Sequence, residues 1–326
     1  MIDDDQNPQH SAGNEQQGPT PSAGPTPAPD APPPDVPGKT FPPSFGEPSP
    51  LQPASFASPW PAPAIPFDLN VPWSWSDLSV FLLFYFACTT IFSLVIVFAT
   101  AAAMHIGIKT MIDGHGVLFI SLSIVAQALA SLSSIFYLRM LVYARSPGGA
   151  PQSAEGPWQV LGWRRLGEKT SRASTVFKYV ASGVGLAYAV SFVSEFVGQR
   201  RKVPFEDLFQ SRQTILMLMA FGILLAPVVE EMMFRGFLYP VVARRFGVAV
   251  GILTTGILFG AFHAMQLWGA WEQIALLAVV GIVLTWVRAR SHTILASYII
   301  HVAYNSTLFA GVLLATNGLR KIPVGN

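Results

Sequence analysis

Charge is scarce in this chain. Only 12% of its 326 residues are Asp, Glu, Lys or Arg, and 51% are hydrophobic. A soluble domain carries about 25% charged residues, so the deficit excludes an ordinary water-exposed surface. The mean hydropathy of +0.45 agrees. The net charge of +2 is too small for a nucleic-acid partner. Cysteine is reduced to one, Cys88, inside an apolar run. That excludes a disulfide framework and a cysteine-based zinc site, and leaves Cys88 as a small apolar residue. No internal repeat suggests a transporter of inverted halves. The acidic start "MIDDDQ" is not followed by an apolar stretch, so no cleavable secretory signal is expected. "KIPVGN" is not a prenylation box, and "MIDD" is not a myristoylation start, so the expected anchor is the chain's own helices.

The chain does have long apolar runs. Seven lie at about 78–104, 116–144, 176–198, 213–238, 247–268, 271–289 and 293–317. Each is near or above the ~20 residues that cross ~30 Å of hydrocarbon. Lipid offers the backbone no hydrogen bonds, so such runs must be helical. The predicted fold is all-α: a polytopic membrane bundle of about seven transmembrane helices, eight if a half-span is counted. Residues 1–70 hold most of the 27 prolines. They predict a disordered, Pro-rich tail that cannot bury enough apolar surface to order itself. Trp73 and Trp75 follow, and are expected at the membrane interface. The division expected is tail 1–70, two N-terminal transmembrane helices 71–145, and a core 146–320.

Lys and Arg give an orientation. Arg145, Arg164, Arg165, Lys169 and Arg172 share one side with Arg244, Arg245, Arg288 and Arg290 if there are seven spans. The positive-inside rule makes that side cytoplasmic, with the N-terminal tail inside and the C-terminus outside. The segment 199–212 disagrees. It carries Arg200, Arg201, Lys202 and Arg212 on the other side, a conflict that a missed half-span or an interfacial helix would remove.

Against this background "LLAPVVEEMMFRGFLYP" (224–240) stands out. Facing lipid singly, Glu230, Glu231 and Arg235 would cost on the order of 8–10 kcal/mol. They must pair, face a wet cavity, or sit near an interface. Glu231 and Arg235 are four apart, share a helix face and can form an ion pair. Glu230 lies about 140° away around an α-helix and is left pointing elsewhere. Pro227 removes an N–H and frees the carbonyl of Ile223, so a kink is expected where the carboxylates begin. Two later runs carry polar residues at helical spacing: Phe259 with His263, and His301 with Asn305. Taken singly, each has a plain alternative as helix–helix glue. Taken together, their faces are expected to converge on Glu230 in one polar cavity. His115 and His292 fall in connecting segments and carry no argument.

"EEMMFR", "FGAFH" and "HVAYN" have the forms E-E-x-x-x-R, F-x-x-x-H and H-x-x-x-N. In this order, on three hydrophobic helices, they resemble the CPBP family. That family comprises CAAX-prenyl-protease-like (Rce1-type) and bacteriocin-processing (ABI) intramembrane endopeptidases. The resemblance covers roughly residues 160–317, and "GPWQVLGWRR" (156–165) also resembles a segment ahead of the family's core. It implies Glu230 as the base that activates water, with His263 helping to hold or deprotonate that water. It implies His301 and Asn305 as donors to the oxyanion, and Glu231 with Arg235 as a supporting ion pair. There is no H-E-x-x-H. Metal-free water activation is expected, and zinc, if present, would fall on Glu230, His263 and His301.

The function expected is hydrolysis of a peptide bond in a membrane-associated CAAX-like, lipidated or bacteriocin-type substrate. The expected partners are membrane lipid and that protein or peptide. The location is integral to the membrane, the plasma membrane if the chain is bacterial. Two alternatives stay open: a non-catalytic scaffold or bacteriocin-immunity protein of the same fold, and a proton-relaying transporter.

Overall fold

The structure is a computed structural model, and describes residues 66–145, 156–166, 172–197, 203–209 and 211–320. Most of the proline-rich segment, with Lys169, Arg200, Arg201 and Lys202, lies outside the described residues. Among the described residues every regular element is helical, as the apolar runs require.

Among the described residues, six helical stretches are long and apolar enough to cross a membrane. They are α1 (Trp75–Ala103), α3 (Gly116–Arg145), α5 (Arg172–Val197), the composite stretch Arg212–Phe246, α10 (Trp271–Ser291) and α11 (Ile294–Ala315). Helices of this length and apolarity make the chain an integral, multi-pass membrane protein. Two short helices, α2 (Ile108–Gly114) and α4 (Pro157–Val160), sit between spans. The composite stretch contains α6 (Arg212–Ala220), α7 (Ala226–Glu230) and α8 (Tyr239–Phe246), joined by π-helical turns at Phe221–Leu225 and Glu231–Leu238.

The fifth apolar run ends earlier than expected. α9 (Val248–Phe262) has 15 residues, and turns occupy the stretch from His263 to Gly269. Fifteen residues rise about 22 Å, short of a full hydrocarbon crossing. His263 therefore caps the helix instead of standing within it. Small residues let α9 lie close against α10. A Cβ added at Gly256 would stand 2.5 Å from the Ile282 amide nitrogen, and one at Gly281 would stand 2.7 Å from the Gly256 oxygen.

One end of the bundle is tied together by residues 66–77. Asp68 pairs with Arg288 (2.8 Å) and His292 (3.1 Å), and Asp77 pairs with Arg145. Arg244 donates to the carbonyls of Val71 (2.8 Å) and Trp73 (3.1 Å), and Arg164 lies over the Phe67 ring. Four of the arginines expected to share a side, Arg145, Arg164, Arg244 and Arg288, thus meet at one end. His292, set aside as a loop residue, is a partner of Asp68. Trp73 corrects the interface expectation. It is 1% exposed, packs on Phe237 and donates its indole N–H to the Phe237 carbonyl (3.1 Å), whereas Trp75 is exposed. At the same end, residues 156–166 dock on the start of α11. Ile294 N–H donates to the Gly162 carbonyl, and the Thr293 hydroxyl donates to the Arg164 carbonyl.

The opposite end holds α2, the turn after α9 and a 3-10 turn at Pro204–Leu208, where Phe205 N–H donates to the Gln266 carbonyl. Of the segment 199–212, whose basic residues conflicted with the expected orientation, residues 203–209 and 211–212 are described, and Arg200, Arg201 and Lys202 lie outside the described residues.

Candidate active site

Glu230 and Glu231 are neighbours with opposite environments. Glu231 is fully buried. One of its oxygens lies 3.1 Å from an Arg235 terminal nitrogen and 3.0 Å from His301 Nδ1, and the other accepts from the Ser297 hydroxyl at 2.5 Å. Arg235, also fully buried, donates to the Gly281 carbonyl (3.0 Å) and to Thr285 Oγ1 (3.3 Å), and lies 4.5 Å over the Phe259 ring. The guanidinium therefore meets an opposite charge, two neutral acceptors and an aromatic face. That is what a charge held away from both lipid and water requires.

Among the described residues Glu230 has no Arg or Lys in direct contact. One oxygen lies 4.0 Å from His263 Nε2 and the other 3.6 Å from His301 Nε2. These separations are too long for direct hydrogen bonds. The i,i+4 argument that assigned Glu231 to Arg235 and freed Glu230 agrees with this geometry.

The imidazole orientations follow from their partners. His263 Nδ1 faces the Phe259 carbonyl at 2.9 Å. A carbonyl only accepts, so Nδ1 carries the proton and Nε2 turns its lone pair toward Glu230. His301 Nδ1 faces a carboxylate that is already ion-paired, so it too donates, and its Nε2 faces Glu230. His301 can donate to an oxyanion only as an imidazolium, with N–H on both nitrogens.

Asn305 sits differently from expectation. Its side-chain N–H donates to the Gly222 carbonyl at 2.7 Å. The cause is the π register around Pro227. Ala226 N–H bonds to the Phe221 carbonyl, five residues back. In that register the carbonyl facing the missing proline N–H is that of Gly222, not the Ile223 carbonyl an α-helix would free. Asn305 satisfies it and keeps one N–H.

Glu230, His263, His301 and Asn305 line one cavity of about 370 Å³. Its other walls are mainly apolar, with Phe205, Leu208, Phe221, Leu308 and Phe309 among them, and Gln127 and Gln266 adding amides. The size suits a ligand site, and the apolar lining strengthens the few polar interactions inside. For a metal, the donor types of Glu230, His263 and His301 are those zinc takes. Among the described residues, however, no group of three His, Cys, Asp or Glu has a metal-holding arrangement.

All four proposed catalytic residues and the Glu231–Arg235 pair meet here. The sequence reading missed Ser297, although Ser297, His301 and Asn305 form an i, i+4, i+8 stripe that marks one face of α11. It also missed Thr285 and Gln127, which no local pattern distinguishes from helix glue.

Residues 212–307 match a family described as type II CAAX prenyl endopeptidase Rce1-like. No curated protein and no solved structure matches the chain. The match spans the three motifs and the whole Glu230–Glu231–Arg235–His263–His301–Asn305 constellation, and leaves α1, α3 and α5 outside it. The stretch that builds this site belongs to the type II CAAX prenyl endopeptidase Rce1-like family.

Proposed function

We propose that the chain is an intramembrane endopeptidase that hydrolyses a peptide bond of a membrane-associated protein or peptide, of the CAAX-like, lipidated or bacteriocin-type class. The observation that carries this reading is the contrast at 230–231. One carboxylate is consumed by Arg235, while its neighbour faces the Nε2 atoms of two imidazoles, at 4.0 and 3.6 Å, in an apolar cavity.

In the proposed mechanism, a water lies between Glu230 and His263 and donates one proton to each. Its remaining lone pairs are then directed at the scissile carbonyl carbon. Glu230 takes a proton as the water oxygen bonds to that carbon, and the carbonyl oxygen gains the negative charge. The remaining N–H of Asn305 and the imidazolium form of His301 donate to that oxygen. When the C–N bond breaks, Glu230 returns its proton to the leaving nitrogen. His263 relays the second proton, giving a carboxylate and an ammonium product. Glu231 holds the His301 ring in place. Zinc is the alternative activator; bound, it would polarise the water, with Glu230, His263 and His301 as its ligands.

Glu230→Gln keeps the shape and removes the base. In membrane fractions of wild-type and variant cells, the expected result is a membrane-protein precursor that accumulates only in the variant. A silent variant would instead support a non-catalytic scaffold of this fold. Activity that survives exhaustive chelation, in protein whose zinc content is measured, would assign water activation to Glu230 and His263 without a metal.

A further inference from the structure

Hydrogen-bond donors are in short supply at this site. Glu230 only accepts. His263 spends its Nδ1–H on the Phe259 carbonyl, His301 spends its own on Glu231, and Asn305 spends one of two N–H groups on Gly222. One Asn305 N–H is the only neutral donor left among these four, whereas an oxyanion is stabilised by several donors aimed at it in advance.

A preoriented donor stands on the wall built by helices outside the family match. Gln127 of α3 lines the cavity with Glu230, and its side-chain N–H donates to the Tyr85 hydroxyl of α1 at 2.6 Å. Tyr85 packs on Phe262, at 5.7 Å between rings, and Phe262 packs on His263, at 5.9 Å. The Tyr85–Gln127 pair is thereby tied to the level of His263, and α3 packs against α7, which ends at Glu230. Whichever way the amide is turned, bonding to one hydroxyl leaves at least one N–H for the cavity. Tyr304 and Gln266 also touch the cavity, but among the described residues no second group holds either side chain's polar atoms in place.

We propose that Gln127, oriented by Tyr85, is a catalytic residue that donates a hydrogen bond to the scissile carbonyl oxygen as negative charge develops there. This rests on the endopeptidase reading. The plainer role for such a pair is glue between α1 and α3, which would affect stability but not turnover of the folded protein.

The test uses the purified full chain in bicelles and a synthetic library of internally quenched peptides. Gln127→Leu is expected to lower kcat/KM by about 100-fold, mostly in kcat, as loss of one oxyanion donor does. Tyr85→Phe acts only through Gln127. Its loss should be smaller, and the double variant should be no slower than Gln127→Leu alone. A Gln127→Leu protein that folds and keeps kcat/KM within about threefold of wild type, or loses only KM, overturns the proposal. If wild type cleaves peptides, Glu230→Gln does not, and Gln127→Leu cleaves them within about threefold of the wild-type rate, this inference falls alone. If wild type cleaves nothing that Glu230→Gln does not, the endopeptidase reading falls and takes this inference with it.

Discussion

Two adjacent glutamates separate stability from chemistry at the scale of single residues. Glu231 is the carboxylate in direct contact with the fully buried Arg235 side chain, so Glu231→Gln removes the ion-pair partner of a guanidinium held in the interior. Breaking such a pair on one side costs about 3–5 kcal/mol. Glu230 borders the cavity, and Glu230→Gln should change stability by no more than about 1 kcal/mol while removing activity. Thermal unfolding in detergent should therefore show a large drop in midpoint for Glu231→Gln and almost none for Glu230→Gln. Equal midpoints would contradict the division of roles. Asn305→Ala lies between the two. It orphans the Gly222 carbonyl, at a cost of about 1–3 kcal/mol, so its lost activity should come with lost stability.

At the scale of helices, what could be read from the sequence was what apolar length and i,i+4 spacing encode. The spans, the Glu231–Arg235 pair and the freed Glu230 follow from those two rules. The end of α9 at Phe262 does not, because "HAMQLWG" stays apolar while its backbone turns; hydropathy reports the solvent, not the dihedral angles. The π register also left no sequence signal. Pro227 announced a lost hydrogen bond, but which carbonyl lost its partner depended on the register of the turn before it. Trp73 was misplaced because an indole suits a membrane interface and also suits a bundle interior that offers its N–H an acceptor, here the Phe237 carbonyl. Close packing of α9 on α10 yields a prediction at this scale. Gly256→Val places a branched side chain where even a Cβ meets the Ile282 backbone, so the helices must separate. The expected loss is at least the about 1–3 kcal/mol of core overpacking, read as a lowered unfolding midpoint, and it should carry the site with it because His263 caps α9. A variant as stable as wild type would show that the helices are not held this close.

For the whole molecule, the two ends are chemically distinct. The first is fastened by Asp68, whose burial alone would raise its pKa. Hydrogen bonds and charge from Arg288 and His292 outweigh that, and hold the carboxyl below its ordinary range. A carboxyl with a lowered folded pKa contributes stability above its unfolded value of about 3.9, and that stability is lost as pH falls through the folded value. The stability gap between wild type and Asp68→Asn should be full at pH 7 and shrink only below about pH 4. A gap that stays constant into that range would remove Asp68 as the fastener.

The cavity belongs to the other end. Its wall includes Ser123 and Ile124 near the start of α3, Phe205 and Phe209 around the 3-10 turn, and Gln266 after α9; none of its lining comes from residues 66–77, 156–166 or 286–294. A substrate's cleavable segment should therefore approach from the face opposite Asp68 and the clustered arginines. If the arginine-bearing face is cytoplasmic, as the positive-inside rule orients it, that segment is presented from outside the cytoplasm. The chain's single cysteine makes the test clean. In a Cys88→Ser background, Ser123→Cys and Phe209→Cys should react with a membrane-impermeant maleimide on one face of sealed vesicles, and Arg290→Cys on the other. Gln127→Leu should not alter which face labels Phe209→Cys, because it changes a donor on the wall and not the opening. Labelling of Phe209→Cys and Arg290→Cys from the same face would place the cavity mouth at the arginine end, and would reverse the side from which a substrate must come.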